Sequence, residues 1–188
     1  MTKPLRTKEG AFVMFSLFGI PWGFEGFQEI LNFHPVFVHF PIALLSAACG
    51  FYFLGIVFRK EELLAVGKWS LYFGALSALL AVVTGLQAAD TVSHNDETHQ
   101  IMMAHQYLGF VILGLSAFLS AWLLKAKANL PQKRKPIFLL ALLLLAIMIA
   151  QQGDFGGRLV FLHGVGVGKK SMSQHSSHEH HDHSTHQH

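Results

Sequence analysis

The apolar residues of this chain lie in long uninterrupted blocks, and not at the spacing of a water-soluble helix or strand. Four blocks run from Val36 to Phe58, from Trp69 to Ala89, from Ile101 to Leu124 and from Pro136 to Ala150, the last continuing as helix towards Arg158. A helix needs about 20 apolar residues to cross the hydrocarbon layer of a membrane. The pattern therefore predicts an all-α fold, an integral membrane four-helix bundle.

A further apolar segment precedes the bundle. Residues 11–31 are mostly apolar, follow a basic N-terminus and contain Pro21 near their middle. We expect an additional N-terminal apolar helix, bent near Pro21, that anchors in the membrane or lies on its surface. The chain then divides into the basic N-terminus with this helix (1–33), a four-helix transmembrane domain (34–168) and a disordered His-rich C-terminal tail (169–188).

Composition and charge support a membrane location and give an orientation. The chain is 52% hydrophobic and 13% charged, whereas soluble domains average about 25% charged residues. Basic residues lie in the predicted loops after the first and third spans, Arg59 to Lys68 and Lys125 to Lys135, and the loop from Asp90 to Gln100 has none. The positive-inside rule places the N-terminus in the cytoplasm and the tail outside it. Because the basic residues sit in short loops, we expect the lipid bilayer as a partner and no nucleic acid.

In this orientation the histidines that precede the tail all lie towards the outer face. His39 and His105 each lie about one turn inside a span, at matching depth, whereas His34 and His163 lie nearer the surface. Two histidines on separate helices at one depth are what bis-histidine ligation of haem requires. We therefore predict His39 and His105 as the inner ligands of haem b. His34 and His163 are predicted as a second pair, or as side chains that orient the first.

The helix geometry leaves alternatives open. On an ideal helix His34 and His39 point about 140° apart, so one helix face would not present both, although Pro41 loosens that inference. Three or four converging histidines would instead suit zinc or copper. The histidines could also serve only as hydrogen-bonding residues between helices. Arg158 either pairs with Asp154, four residues earlier, or holds an anionic group such as a haem propionate.

The tail carries a second, separate candidate site. Its histidines lie among Ser, Asp and Glu and comprise His175, His178, His180, His181, His183, His186 and His188. Such density predicts binding of divalent copper, nickel or zinc. The alternative is an incidental polar tail.

Several of these segments resemble a known family. HPVFVHFPIALL (His34 to Leu45), Thr84 and Gly85, His105, and GGRLVFLHGVGV (Gly156 to Val167) are similar to a bacterial family of predicted four-helix membrane proteins of unknown function, with HPxxVHFP and HGVGV motifs. The resemblance covers about residues 34–167. It implies a bacterial inner membrane and places the family's histidines at His34, His39, His105 and His163. Family members joined to c-type cytochrome modules make electron transfer the implied role, with a periplasmic c-type cytochrome as a partner.

The leading hypothesis is therefore a small inner-membrane protein that binds haem b at its periplasmic face and transfers electrons. A second hypothesis is a metal-handling protein whose tail captures copper, nickel or zinc, and a third is a non-catalytic structural subunit. The sequence contains no nucleophile elbow, HExxH, Walker A loop, dinucleotide fingerprint or CxxCH. That absence favours a non-enzymatic role without deciding it.

Overall fold

The computed structural model describes residues 33–90, 96–126 and 130–165, together with the backbone of residues 15–17 and 20–22. In the second of two compact units, residues 31–188, the helices are α1 (His34–Phe37), α2 (His39–Phe58), α3 (Glu61–Ala89), α4 (Asp96–Lys125) and α5 (Lys135–Phe161), with a 3₁₀ turn at Gln132–Arg134. Four spans of 25 to 30 residues within the described part of the chain are long and apolar enough to cross a membrane. The predicted four membrane helices and the all-α class are confirmed.

The first unit, residues 1–30, differs from the sequence prediction. Phe15–Leu17 (β1) and Ile20–Trp22 (β2) pair as antiparallel strands, with Ser16 opposite Pro21. The predicted N-terminal helix is therefore wrong at the six residues of this segment that the structure describes. Proline inside a helix costs about 3 kcal/mol, whereas a two-stranded ribbon has only edge strands, in which proline is tolerated.

The helices also extend beyond the apolar blocks that predicted them. α3 begins at Glu61 and α4 at Asp96, so Glu61 to Lys68 and Asp96 to Gln100 are helical where loops were predicted. Apolar character defines only the part of a helix inside the hydrocarbon. Acidic residues in the first turn, as in both of these helices, interact favourably with the helix dipole.

Short connections fix the helices in an antiparallel ring. Only Arg59 and Lys60 join α2 to α3, and Arg59 takes the left-handed conformation (φ 54°) while Lys60 N–H bonds Gly55 C=O at 3.1 Å. α2 packs on α3 and α5, and α4 packs on the same two helices. The first hairpin (α1 to α3) and the second hairpin (α4 and α5) thus stand side by side with parallel helix directions.

The two hairpins bury equivalent positions. Adding 71 to the number of a buried residue in the first hairpin gives a buried residue in the second at eight places: Pro41 and Ile112, Leu45 and Ser116, Ala48 and Leu119, Tyr52 and Leu123, Gly67 and Phe138, Leu71 and Leu142, Gly74 and Leu145, Ala78 and Ile149. Each hairpin therefore turns the same helix faces inward. The bundle has an approximate two-fold relation about an axis along the helices.

Side-chain sizes differ between the hairpins at these shared positions. A Cβ built on Gly74 would lie 2.5 Å from Leu45 Cδ2, so a side chain at position 74 would displace the side chain of Leu45. The second hairpin has the reverse arrangement, with a large Leu145 and a small Ser116, both fully buried. Small residues on one partner let membrane helices approach closely, and each hairpin places them on a different helix.

Candidate functional site

His34 lies at the first turn of the first hairpin and its ring reaches α3. Its Nδ1 lies 3.3 Å from Thr84 Oγ1, and the ring also interacts with the backbone of Ala81. A Cβ built on Gly85 would lie 2.9 Å from His34 Cε1 and 3.2 Å from Nδ1. Glycine at position 85 is therefore what allows the ring to lie against α3.

The hydrogen bonds of Thr84 indicate which His34 nitrogen carries the proton. Thr84 Oγ1 lies 3.0 Å from Leu80 O and 3.1 Å from Ala81 O, so its single proton is donated to these nearer carbonyls. The hydroxyl oxygen then accepts from His34 Nδ1–H. In a neutral imidazole this leaves the Nε2 lone pair for a ligand, the arrangement common for metal-binding histidines.

His105 occupies the equivalent place in the second hairpin, 71 positions after His34. A Cβ on Gly156, the counterpart of Gly85, would lie 3.4 Å from His105 Cε1. The ring interacts with the backbone of Gln152, the counterpart of Ala81. His34 begins α1 and His105 lies within α4, and each ring lies against a glycine near the end of the second long helix of its hairpin.

The two imidazoles meet at the end of the bundle. Their ring centres are 6.2 Å apart and their planes are nearly perpendicular, at 86°. Both side chains are half-buried. Because α1 and α4 stand diagonally in the ring of helices, the approximate two-fold relation brings the rings together from opposite sides.

The symmetry fails at one polar contact. The counterpart of Thr84 in the second hairpin is Phe155, which has no hydroxyl to accept a hydrogen bond. Among the described residues, His105 Nδ1 and Gln152 Oε1 are buried side-chain atoms without a hydrogen-bond partner. Buried polar atoms of this kind are uncommon and call for a physical explanation.

The predicted pair of His39 and His105 does not form. His39 is exposed, and the ring beside His105 belongs to His34. Val38 keeps helical angles (φ −65°, ψ −25°) between α1 and α2, so the ideal rotation of about 140° between positions 34 and 39 holds. Pro41 does not disturb the register, and only His34 faces the bundle.

The other predicted residues lie away from the pair. His163 is half-buried just beyond the end of α5, where Gly164 (φ 64°) ends the helix and its N–H bonds Val160 C=O at 3.0 Å. The predicted pairing of His163 with His34 is replaced by the His34–His105 contact. Gly164, in the HGVGV motif, therefore has a structural role, since left-handed glycines commonly terminate helices.

Arg158 and Asp154 are both exposed on α5. Asp154 Oδ2 accepts a hydrogen bond from Gln151 Nε2 at 3.3 Å. Position 158 lies about 200° around the helix from Gly156. The structure therefore does not bring Arg158 to the histidine pair.

No group of three or more His, Cys, Asp or Glu side chains suited to a metal ion occurs within the described ranges. The predicted metal ligands of the tail, from His175 to His188, lie outside the described residues. Sequence reasoning singled out neither Gln152 nor Phe155 as site residues. The shared spacing of 71 would have found them, because it aligns the two histidines, the two glycines and these two positions.

The fold and the histidine pair define a class of protein: an integral membrane four-helix bundle with two imidazoles at one end. The chain belongs to the family described as "Predicted membrane protein (DUF2231)", which matches residues 31–169 and whose function is unknown. The family resemblance drawn from the sequence is thereby confirmed. No curated protein and no solved structure matches the chain.

Proposed function

We propose that the protein binds haem b between His34 and His105 and transfers electrons in the membrane. The observation that carries this proposal is the 6.2 Å separation of the ring centres. Two imidazoles on opposite sides of one metal ion have ring centres about 6 Å apart, because each metal–nitrogen bond is about 2 Å long. The separation therefore fits two imidazoles that would hold one metal ion between them.

The number of ligands favours haem over a bare metal ion. Haem iron needs only two axial ligands from the protein, and the bundle supplies two imidazoles. Zinc and copper sites take three or four protein ligands, and no cluster of that size occurs in the part of the chain that the structure describes. When bound, haem supplies one-electron redox chemistry, and the protein's ligands and surroundings tune its potential.

The residues around the pair have separate tasks. Thr84 orients His34 through Nδ1, at 3.3 Å. Gly85 and Gly156 keep the helices free of side chains where the rings lie against them. The half-buried rings leave the site near enough to the bundle end for exchange of electrons with a partner at the membrane surface.

We propose that this end of the bundle faces the periplasm of a bacterial inner membrane, where a c-type cytochrome is a candidate partner. The positively charged connections lie at the opposite end of the bundle from His34 and His105, since α2 and α4 begin at the histidine end and finish at the basic one. The test is labelling by a membrane-impermeant maleimide in intact cells, in a Cys49→Ala background. Ser93→Cys should be labelled and Asn129→Cys should not; the reverse result contradicts the orientation.

A second candidate function is transition-metal handling through the tail. The observation that favours it is the concentration of seven of the chain's histidines after residue 174. Imidazoles at this density bind copper, nickel or zinc. On this proposal the tail captures the ion at the outer face of the membrane.

The test of the haem proposal is the visible spectrum of the detergent-purified protein, oxidised and then reduced with dithionite, alongside elemental analysis. We expect a b-type band on reduction and about one iron per chain. His34→Ala should lower the haem content at least several-fold, and His105→Ala should lose the spectrum of a bis-histidine haem. His39→Ala is the matched control, because His39 is exposed five residues from His34, and it should retain the band.

The outcomes separate the hypotheses. Loss of haem in His39→Ala with retention in His34→Ala contradicts the assignment of ligands. A folded, colourless protein containing copper, nickel or zinc contradicts the haem proposal and favours metal handling. A folded protein with neither haem nor metal contradicts both and leaves the histidines as interhelical contacts.

A further inference from the structure

We infer that the two histidines bind the haem iron with unequal strength. Thr84 holds His34 as the permanent ligand, whereas His105 dissociates from the iron. The position that His105 vacates would then take a small neutral iron ligand of the carbon monoxide and nitric oxide class. This inference rests on the proposed function and adds the ligand class to it. Thr84 is a positioning residue, because it acts through His34.

The two-fold relation between the hairpins allows the surroundings of His34 and His105 to be compared position by position. Eight buried positions, the two histidines and the two glycines all match at a spacing of 71. His34 Cε1 and His105 Cε1 are also the ring atoms nearest to their respective glycines. Each ring therefore turns its Cε1 towards its glycine. What differs is the residue at the position of Thr84, whose hydroxyl contacts His34 Nδ1: the matching residue in the second hairpin is Phe155.

A ligating histidine normally donates its second ring N–H to an acceptor, which fixes the ring and strengthens its bond to the metal. His34 has this acceptor in Thr84 Oγ1. His105 has no such side-chain acceptor: its Nδ1 is buried without a hydrogen-bond partner among the described residues, and the ring only approaches the backbone of Gln152. Loss of such a contact typically weakens ligand binding about 10- to 100-fold, so His105 should dissociate from iron far more readily than His34.

Gln152 offers an acceptor for the ring that has left. Its Oε1 is the other buried, unpartnered side-chain atom of the described residues. Its Nε2 lies 3.3 Å from the position of a Cβ on Gly109, one turn along α4 from His105. A donor and an acceptor that are each unsatisfied on neighbouring helices can satisfy one another after a modest rotation of the His105 ring.

The experiment uses the detergent-purified, dithionite-reduced holoprotein, titrated with carbon monoxide and followed by its absorption spectrum. We expect the wild type to bind carbon monoxide. Phe155→Thr, which adds the missing hydroxyl, should weaken that binding at least about 10-fold, whereas the matched control Phe155→Leu should not. Equal affinities in Phe155→Thr and Phe155→Leu, or a wild type that binds no carbon monoxide, would overturn the inference.

Single ligand variants give an independent comparison. His105→Gly should keep most of its haem, bind carbon monoxide, and regain the wild-type spectrum with added imidazole. His34→Gly should lose most of its haem. Similar haem content and similar carbon monoxide binding in the two variants would overturn the inference.

Nitrogen NMR of the imidazoles in the full-length, haem-free chain separates this inference from the proposed function. His34 should give the signals of a single Nδ1–H tautomer in the wild type and in Thr84→Ser, but not in Thr84→Val. Ser77→Ala is the control, because Ser77 Oγ donates a hydrogen bond within its own helix, to Gly74 O 2.9 Å away. Unchanged His34 signals in Thr84→Val would overturn the role of Thr84, whereas absence of haem with the expected tautomer would contradict only the proposed function.

Discussion

The two glycines beneath the histidine rings give the sharpest stability prediction. The change is alanine at position 85 or at position 156, which occupy matching places in the two hairpins. On Gly85 the added methyl would lie 2.9 Å from His34 Cε1, closer than side-chain carbons approach other atoms, and on Gly156 it would lie 3.4 Å from His105 Cε1, close to ordinary contact. The same substitution is therefore expected to clash in one hairpin and to fit in the other.

The magnitude follows from one favourable and two unfavourable contributions. Both glycines lie within helices, so alanine should gain up to about 1 kcal/mol of helix propensity at each. Overpacking typically costs about 1–3 kcal/mol, and only Gly85→Ala incurs it. Moving the His34 ring also removes its contact with Thr84, worth about 1 kcal/mol. Because the gain in helix propensity is the same in both variants, Gly85→Ala should be less stable than Gly156→Ala by about 2–4 kcal/mol.

The assay is thermal unfolding in detergent micelles, followed by the helical circular dichroism signal. For a chain of this size 1 kcal/mol changes Tm by roughly 2–4 °C, so Gly85→Ala should melt several degrees below Gly156→Ala. Gly153→Ala is the control, because a Cβ there meets nothing within 4 Å. Equal melting temperatures for the variants at 85 and 156, or a lower one for Gly156→Ala, would refute the assigned ring positions.

Two further predictions concern the core and the tail. Gly74→Leu alone should destabilise the bundle by about 3 kcal/mol, since even a Cβ there meets Leu45 at 2.5 Å. Adding Leu45→Ser, which copies the side-chain sizes of Leu145 and Ser116, should recover at least half of the lost Tm. If Tm did not recover, the two hairpins would not be exchanging large and small side chains at these positions. Deleting residues 169–188 should lower the copper, nickel or zinc bound per chain in equilibrium dialysis while leaving any haem band intact. Equal metal content with and without the tail would count against the metal-binding tail.

Some of the site could be predicted from single positions and some could not. That His34 and His39 point in different directions follows from helix geometry, and the structure agrees. Which of them faces the bundle depends on the rotation of the helix, and this is set by the packing of Leu45, Ala48 and Tyr52 against the neighbouring helices. The sequence favoured His39 because it lies at the same depth in the membrane as His105. The rotation of its helix excludes His39 from the histidine pair.

The N-terminal segment and the helix ends show the same division. Residues 11–31 are apolar enough for a helix, yet the six of them that the structure describes pair as strands β1 and β2, because a proline that breaks a helix is tolerated in an edge strand. The charged first turns of α3 and α4 were assigned to loops, because hydropathy records only the part of a helix inside the hydrocarbon.

The sequence by itself determined the four membrane spans, the family and the gathering of histidines at one end, since the length of an apolar block and the position of a charge are local properties. Only the tertiary structure decided that His34 meets His105, that Thr84 bonds one ring, and that the Nδ1 of the other is buried without a hydrogen-bond partner among the described residues. Those contacts join residues about 50 to 71 positions apart. They depend on how each helix is rotated against its neighbours, which is fixed by the fit of small and large side chains across the whole bundle.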